Sequence, residues 1–407
     1  MSSDFSGHPR GSREYRRLLA ALAFAGVATF TQLYSSQGIL PLIARDLGVD
    51  AATAALTVSG ATAGLAAAVL PWSLLADRIG RLPAMRIAII AATALGLVAP
   101  AMPDAASLIG VRIVEGLALG GLPAIALTYL AEEVDRRHAA TAAATYVAGT
   151  SLGGLLGRLI AAPIAEQAGW RIGMGSVAVI AAVAAVVFIA LAPRSYGFAF
   201  VAGNPLRRLL RDIGMHAADR VMLALWAQGF LLMGGFVTVY NYLAFHLEGA
   251  PYLLPPSLAS LLFTAYLAGT ASSRIAGGIA ERAGTRPVLL SAAAIMLAGL
   301  LLTLAASLVL VIVGLVVMTA GFFAGHAAAS AAIGQRASRG RAQAASVYTL
   351  GYYAGSSLFG WLGGLALIAG DWPAVVGLVA VLVVLAGLTA LAVAPAAPRP
   401  PVSRLRP

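Results

Sequence analysis

Runs of about twenty residues with almost no charge recur through this chain, and they leave it few ways to fold. They fall near 18–43, 53–76, 83–102, 107–131, 139–163 and 171–192. After a break they resume near 221–246, 256–280, 287–306, 308–333, 342–368 and 373–394. Lipid offers no partner to an unpaired backbone N–H or C=O, so a run of this length crosses a bilayer as a helix that satisfies itself. Across 407 residues, 60% are hydrophobic and 11% charged, whereas soluble domains carry roughly a quarter charged residues. The reading is an all-α membrane protein with twelve transmembrane helices. The first run, Leu18 to Ile43, is too long for a signal-peptide core and is expected to be retained.

The charge is as one-sided as the hydropathy. Every basic residue is arginine, no lysine occurs, and the net charge is +11. No basic helix or basic–aromatic motif accompanies it, so no nucleic acid partner is expected. Alternation along the chain explains the excess better. Of 27 arginines, 23 fall in the 1–17 tail, in every second loop, in the 193–220 segment and in the 395–407 tail. Arg45 and Arg171 fall on the other side, and Arg112 and Arg158 lie inside spans. Arginine collects in cytoplasmic loops, which places both termini and the 193–220 linker in the cytoplasm. The expected organisation is a tail, a six-helix bundle at 18–192, the linker, a second bundle at 221–394 and a final tail.

Other chemistries find little support. The chain has no cysteine, which removes disulfides and thiolate metal sites. Its five histidines, His8, His138, His216, His246 and His326, are scattered over tails, loops and distant spans. No phosphate-binding loop is present. An enzyme, a metal or a cofactor is therefore not expected.

The two halves echo one another. "DRIGRLP" at Asp77–Pro83 returns as "ERAGTRP" at Glu281–Pro287, and "GTSLGGLLGRL" at Gly149–Leu159 returns as "GSSLFGWLGGL" at Gly355–Leu365. The offsets, 204 and 206, are nearly equal. A duplicated six-helix unit follows, giving two pseudo-symmetric bundles in parallel repeat.

On these residues the chain resembles the major facilitator superfamily over essentially its whole length. Asp77, Arg78, Gly80 and Arg81 match that family's loop between the second and third helices. Ser73 stands for the leading glycine and Leu82 for the last basic residue. Gly277, Glu281, Arg282, Gly284 and Arg286 form the second copy, with Thr285 at the position of Arg81. Arg112, Glu115 and Gly116 match the fourth-helix pattern, with Glu115 where a glutamine is more usual. Gly149, Gly153 and Gly157 follow the fifth-helix pattern of exporters, although Gly154 replaces its proline and Arg158 its last glycine. "TYLAEE", "GFLLMGGFVTVYNYLAF" and "YYAGSSLFGWLGG" are similar to the YnfM branch, associated with acriflavine sensitivity. The resemblance implies a monomer in a bacterial inner membrane that exports a small amphipathic substrate by alternating access, coupled to protons. The alternative is an organic anion or a sugar-like solute.

Three groups of residues are candidates for the work. Asp77, Arg78, Gly80 and Arg81, with Glu281, Arg282, Gly284 and Arg286, sit at tight turns and are expected to gate by latching the bundles. Arg112, Glu115 and Arg158 are charges inside spans, where each costs several kcal/mol unless paired or wetted. They lie at similar depths and are read either as one structural ion-pair cluster or as a proton-coupling site. Gln32, Tyr34, Gln37, Tyr146, Gln228, Tyr240, Asn241, His326 and Tyr352 are polar residues on spans and are expected to line a substrate cavity.

Overall fold

The computed structural model describes residues 5, 7–198 and 205–393; the 395–407 tail and part of the linker lie outside the described residues. The secondary structure is helical, and its boundaries are set by short polar side chains. Ser12, Asp50, Asp104 and Asp219 cap their helices by accepting from the backbone N–H of Tyr15, Thr53, Ser107 and Val221. Each cap satisfies a donor that the first helical turn would otherwise orphan. The N–H of Ser107 also holds the Asp104 carboxyl below the usual carboxylate range.

The first bundle contains α1 (Arg13–Leu47), α2 (Ala51–Ile79), α3 (Arg81–Val98), α4 (Ala105–Glu133), α5 (Ala139–Ala168) and α6 (Trp170–Leu191). The second contains α7 (Arg220–Glu248), α8 (Tyr266–Ala283), α9 (Thr285–Leu302), α10 (Leu308–Arg336), α11 (341–369) and α12 (372–390). By length and hydropathy, ten helical stretches qualify as spans among the described residues, and the difference from twelve has two causes. The last stretch is 50 residues long, which at 1.5 Å per residue is roughly twice a bilayer's thickness. Non-helical angles at Gly370 and Asp371 divide it into α11 and α12. The eighth span is assembled from short turns at Pro256–Ser260 and Leu261–Ala265 followed by α8, whose Arg274, Glu281 and Arg282 dilute its hydropathy.

Alternate helices run in opposite directions, so Asp77, the described part of the linker, the start of α1 and the end of α12 gather at one end of the molecule, here the linker end. Helix pairs within each bundle pack through glycine. On α5, a Cβ at Gly153 would lie 2.6 Å from the carbonyl oxygen of Val27, and one at Gly157 would lie 2.5 Å from that of Thr31. Gly149 on α5 likewise meets the Ala23 backbone, and its equivalent on α11, Gly355, meets the backbone of Phe230 on α7. The duplicated sequence thus builds the same close helix crossing twice.

Two features were not expected from the sequence. α1 is interrupted at Tyr34–Ser36 and resumes through a turn of 3-10 helix at Gln37–Ile39. The linker contains a strongly amphipathic helix at Pro205–Ala217. Its buried His216 shares a hydrogen bond of 2.9 Å with the carbonyl oxygen of Arg339 in the α10–α11 loop. Leu206, Leu210 and Met215 are exposed on its other face.

Candidate functional site: the seam between the bundles

The repeated turns are alike in backbone and different in side chains. Gly80 has φ +96° and Gly284 +89°, a region that side chains with a Cβ rarely adopt, so glycine is required at both. In the first copy the Arg81 Nη1 donates to Asp77 Oδ1 at 2.5 Å, and its Nη2 lies 3.1 Å from Glu132 Oε1 on α4. Arg81 therefore stitches α2, α3 and α4 within one bundle. Thr285 stands at its position in the second copy, with no charged group to offer there.

Next to this stitch lies an acid that the sequence reading missed. Glu133 is fully buried at the end of α4. Its Oε1 accepts from the Ser195 hydroxyl at 2.6 Å and from the backbone N–H groups of Tyr196 and Gly197 at 2.8 Å. Its backbone oxygen accepts from the His8 N–H at 2.7 Å. One acid thus anchors the tail and the start of the linker to α4. The available signal was "AEEVDRR", a pair of acids at the end of a span.

The charges within the spans do not form one cluster. Arg112 and Glu115 are fully buried and paired at 2.6 Å. The same guanidinium donates to the backbone oxygens of Thr57, Gln32 and Leu33 at 2.7–3.0 Å. The break in α1 ends the helical pattern at the last two carbonyls, that of Gln32 accepting from the Ser35 N–H at 3.1 Å, and Arg112 caps the break from across the bundle. Glu115 keeps one oxygen, Oε1, without a hydrogen bond among the described residues.

Arg158 points elsewhere, and the expected three-membered cluster is corrected accordingly. On α5 it donates from Nε to the Gln37 side-chain oxygen at 2.6 Å and from Nη1 to the Gly154 carbonyl at 2.5 Å. Its guanidinium carbon lies 4.0 Å from the ring centroid of Tyr34, 5.1 Å from Phe263 and 4.9 Å from Tyr266. Gln37 passes the contact on, donating to Asn241 Oδ1 on α7 at 2.7 Å. Residues of both bundles therefore surround Arg158.

Other ties between the bundles lie toward the same end, opposite the linker. Arg45 pairs with Glu248 at 3.0 Å, the N–H of Ser257 donates to Glu166 at 2.9 Å, and the Ser357 hydroxyl donates to the Ser59 carbonyl at 2.7 Å. From Tyr266 an aromatic series runs along the second bundle toward the linker end. Tyr266 contacts Phe236, Tyr240 and Phe323, and the rings continue through Phe322 to His326 and Tyr352.

Not every polar candidate joins this seam. Tyr34, Gln37, Tyr240, Asn241, His326 and Tyr352 do. Gln32 is buried beside the Arg112 group, and its amide donates to the Ala28 carbonyl at 3.0 Å. Tyr146 is buried, and its hydroxyl makes no hydrogen bond among the described residues. Gln228 departs most: it donates to Ala386 and Thr389 on α12, at 2.6 and 2.8 Å, and serves packing within the second bundle. Grooves of about 360 and 420 Å³ also open beside α2, but their linings, such as Leu56, Ala66 and Trp361 or Pro71, Leu95 and Val114, carry no charged side chain.

The Major Facilitator Superfamily model matches residues 22–253 and 249–407. The chain belongs to the major facilitator superfamily. It is 38% identical over 377 residues to the inner membrane transport protein YnfM of Escherichia coli (strain K12), covering 93% of this chain and 90% of that one. It is 35% identical over 381 residues to the MFS-type transporter YybF of Bacillus subtilis (strain 168), covering 93% of each. Among solved structures, a point mutant of the nucleoside transporter NupG superposes with TM-score 0.74 at 14% identity, covering 92% of this chain and 99% of that one. This major facilitator protein is accordingly a multi-pass membrane transporter and not an enzyme, with a fold shared well below recognisable sequence identity.

Proposed function

We propose that the chain is a secondary active transporter of the bacterial inner membrane that exports a small amphipathic solute in exchange for protons. The observation that carries this reading is the seam itself. Arg158, Gln37 and Asn241 join the two bundles in the half opposite the linker, which is how a rocking-bundle carrier closes one side of a central site. With the termini in the cytoplasm, as the arginine distribution supports, the closed side is the periplasmic one. Solute then enters from the cytoplasm along the aromatic series between Tyr352 and Tyr266.

Within this reading, Glu115 exchanges the proton. It is a carboxylate inside the membrane, and one of its oxygens makes no hydrogen bond among the described residues. Asp77 and the repeated turns gate, with Asp77 favouring the outward-facing state. The transporter acts as a monomer, and its partners are the solute, protons and the lipid bilayer.

The test is flux. Purified protein in liposomes under an imposed pH gradient is expected to drive solute against its own gradient and to carry protons the other way. Glu115→Gln is expected to abolish proton movement while leaving solute binding intact. Solute movement that ignores the pH gradient would remove proton coupling. An organic anion is the second reading, and the surroundings of Arg158 favour it.

A further inference from the structure

Arg112 and Arg158 are the most deeply buried arginines among the described residues, and their surroundings differ in a way that bears on the cargo. Arg112 uses all three guanidinium nitrogens, and a carboxylate neutralises it. Arg158 is 2% exposed, yet among the described residues no carboxylate pairs with it. Gln37 and Gly154 supply neutral oxygens to Nε and Nη1, and Nη2 makes no hydrogen bond among the described residues. Three aromatic faces attract the charge without neutralising it. A guanidinium so placed in a low-dielectric interior retains a full positive charge and an unused donor, the condition under which an anion is bound most strongly.

The surroundings define the rest of the ligand. Neither the Tyr34 nor the Tyr266 hydroxyl makes a hydrogen bond among the described residues, and both rings lie against Arg158. Behind them, the half-buried Phe323 and Tyr352 continue an apolar aromatic surface. Tyr34 and Gln37 belong to the first bundle, Phe263 and Tyr266 to the second, so a ligand at Arg158 touches both moving parts. A cation placed there would face an unneutralised charge of its own sign.

We infer that Arg158 binds the anionic group of the transported solute, and that the solute is a singly charged organic anion with an aromatic or similarly apolar body. This rests on the transport reading above and fixes the charge of the cargo. It separates the roles of the two arginines: Arg112 braces the break in α1, and Arg158 recognises the solute.

The experiment uses the full-length protein and three probes of one shape: 2-naphthoate, neutral 2-naphthamide and cationic 2-naphthylmethylammonium. Equilibrium dialysis with labelled probes is expected to show naphthoate bound at least tenfold more tightly than the other two. Gln37→Glu places a carboxylate against Arg158, with the loss of the amide that donates to Asn241. It is expected to weaken naphthoate binding at least tenfold and to leave naphthamide unchanged. Arg158→Gln is expected to do the same, and Arg158→Lys to restore part of the loss. Equal affinity for the three probes, preference for the cation, no binding of any at millimolar concentration, or full naphthoate affinity in Gln37→Glu would each overturn the assignment. Flux in liposomes separates this from the reading beneath it. If the cation alone is bound and carried, the anion assignment falls and transport stands. If naphthoate binds through Arg158 yet no probe crosses under any gradient, the site stands and the transport reading falls.

Discussion

Gln37 on α1 donates its side-chain amide to Asn241 on α7 across 2.7 Å, and the two residues are 204 positions apart. That is also the offset at which "DRIGRLP" returns as "ERAGTRP". Each lies on the first helix of its bundle, and they meet where the bundles face each other. Their hydrogen bond is a buried polar link across the surface that must part during alternating access.

Asn241→Leu should loosen that surface. A hydrogen bond contributes a net of about 1 kcal/mol, and more where its loss strands a buried partner, so the open population should rise by about fivefold or more. The chain has no cysteine, so spin labels can be placed at Gln167 and Leu304 without background. Both are exposed near the end opposite the linker. Distances that stay unchanged in the variant would show that the link does not set the equilibrium.

Arg112→Met should be among the most damaging single changes. It strands Glu115 and takes a buried donor from the Thr57, Gln32 and Leu33 carbonyls, and removing one partner of a buried pair costs about 3–5 kcal/mol. Arg112→Met with Glu115→Gln should lose less than Arg112→Met alone, because no unpaired charge is left. Thermal unfolding in detergent would measure both, and equal losses would argue against the pairing.

Gly157→Ala on α5 should destabilise by about 1–3 kcal/mol, the usual cost of overpacking, because the added methyl would meet the Thr31 carbonyl oxygen at 2.5 Å. Gly277→Ala on α8 is the control: nothing lies within 4 Å of its Cβ position, and alanine favours helix. Melting curves of the two variants should move in opposite directions.

Asp77→Asn should weaken the 2.5 Å contact with Arg81 while Arg81 keeps Glu132. With Asp77 favouring the outward-facing state, the labels at Gln167 and Leu304 should shift further toward the closed distance, and solute flux should fall. Unchanged flux and distances would show that the turn is merely a solvated loop.

Acid should loosen one end of the second bundle. The side-chain hydrogen bond from Arg336 holds the Asp219 carboxyl below its usual value. The stabilisation is therefore present above about pH 4, the unfolded value, and is lost as pH falls through the folded one. In Asp219→Asn the corresponding slope of stability against pH should vanish, as denaturant titrations between pH 3 and 6 would show.

The number of spans, their alternating directions and the duplication were legible in the sequence, because lipid makes each span satisfy its own backbone and so writes the constraint into a local window of residues. The eighth span and the division of the last helical stretch were legible for the same reason, although a hydropathy threshold alone misses both. The turns at Gly80 and Gly284 were legible because a backbone conformation that needs glycine leaves a glycine behind. Tertiary structure decided which polar residues work together. Arg112 and Arg158 lie at similar depths, yet the break in α1 draws one to Glu115 and the Gln32 and Leu33 carbonyls, and leaves the other among Gln37, Tyr34 and the rings of α8. That break has neither proline nor glycine at Tyr34–Ser36 to announce it. Gln228 and Asn241 share a helix, but one faces α12 and the other faces the first bundle. A side chain's direction around its helix depends on which neighbours pack against that helix, and those neighbours are far away in sequence.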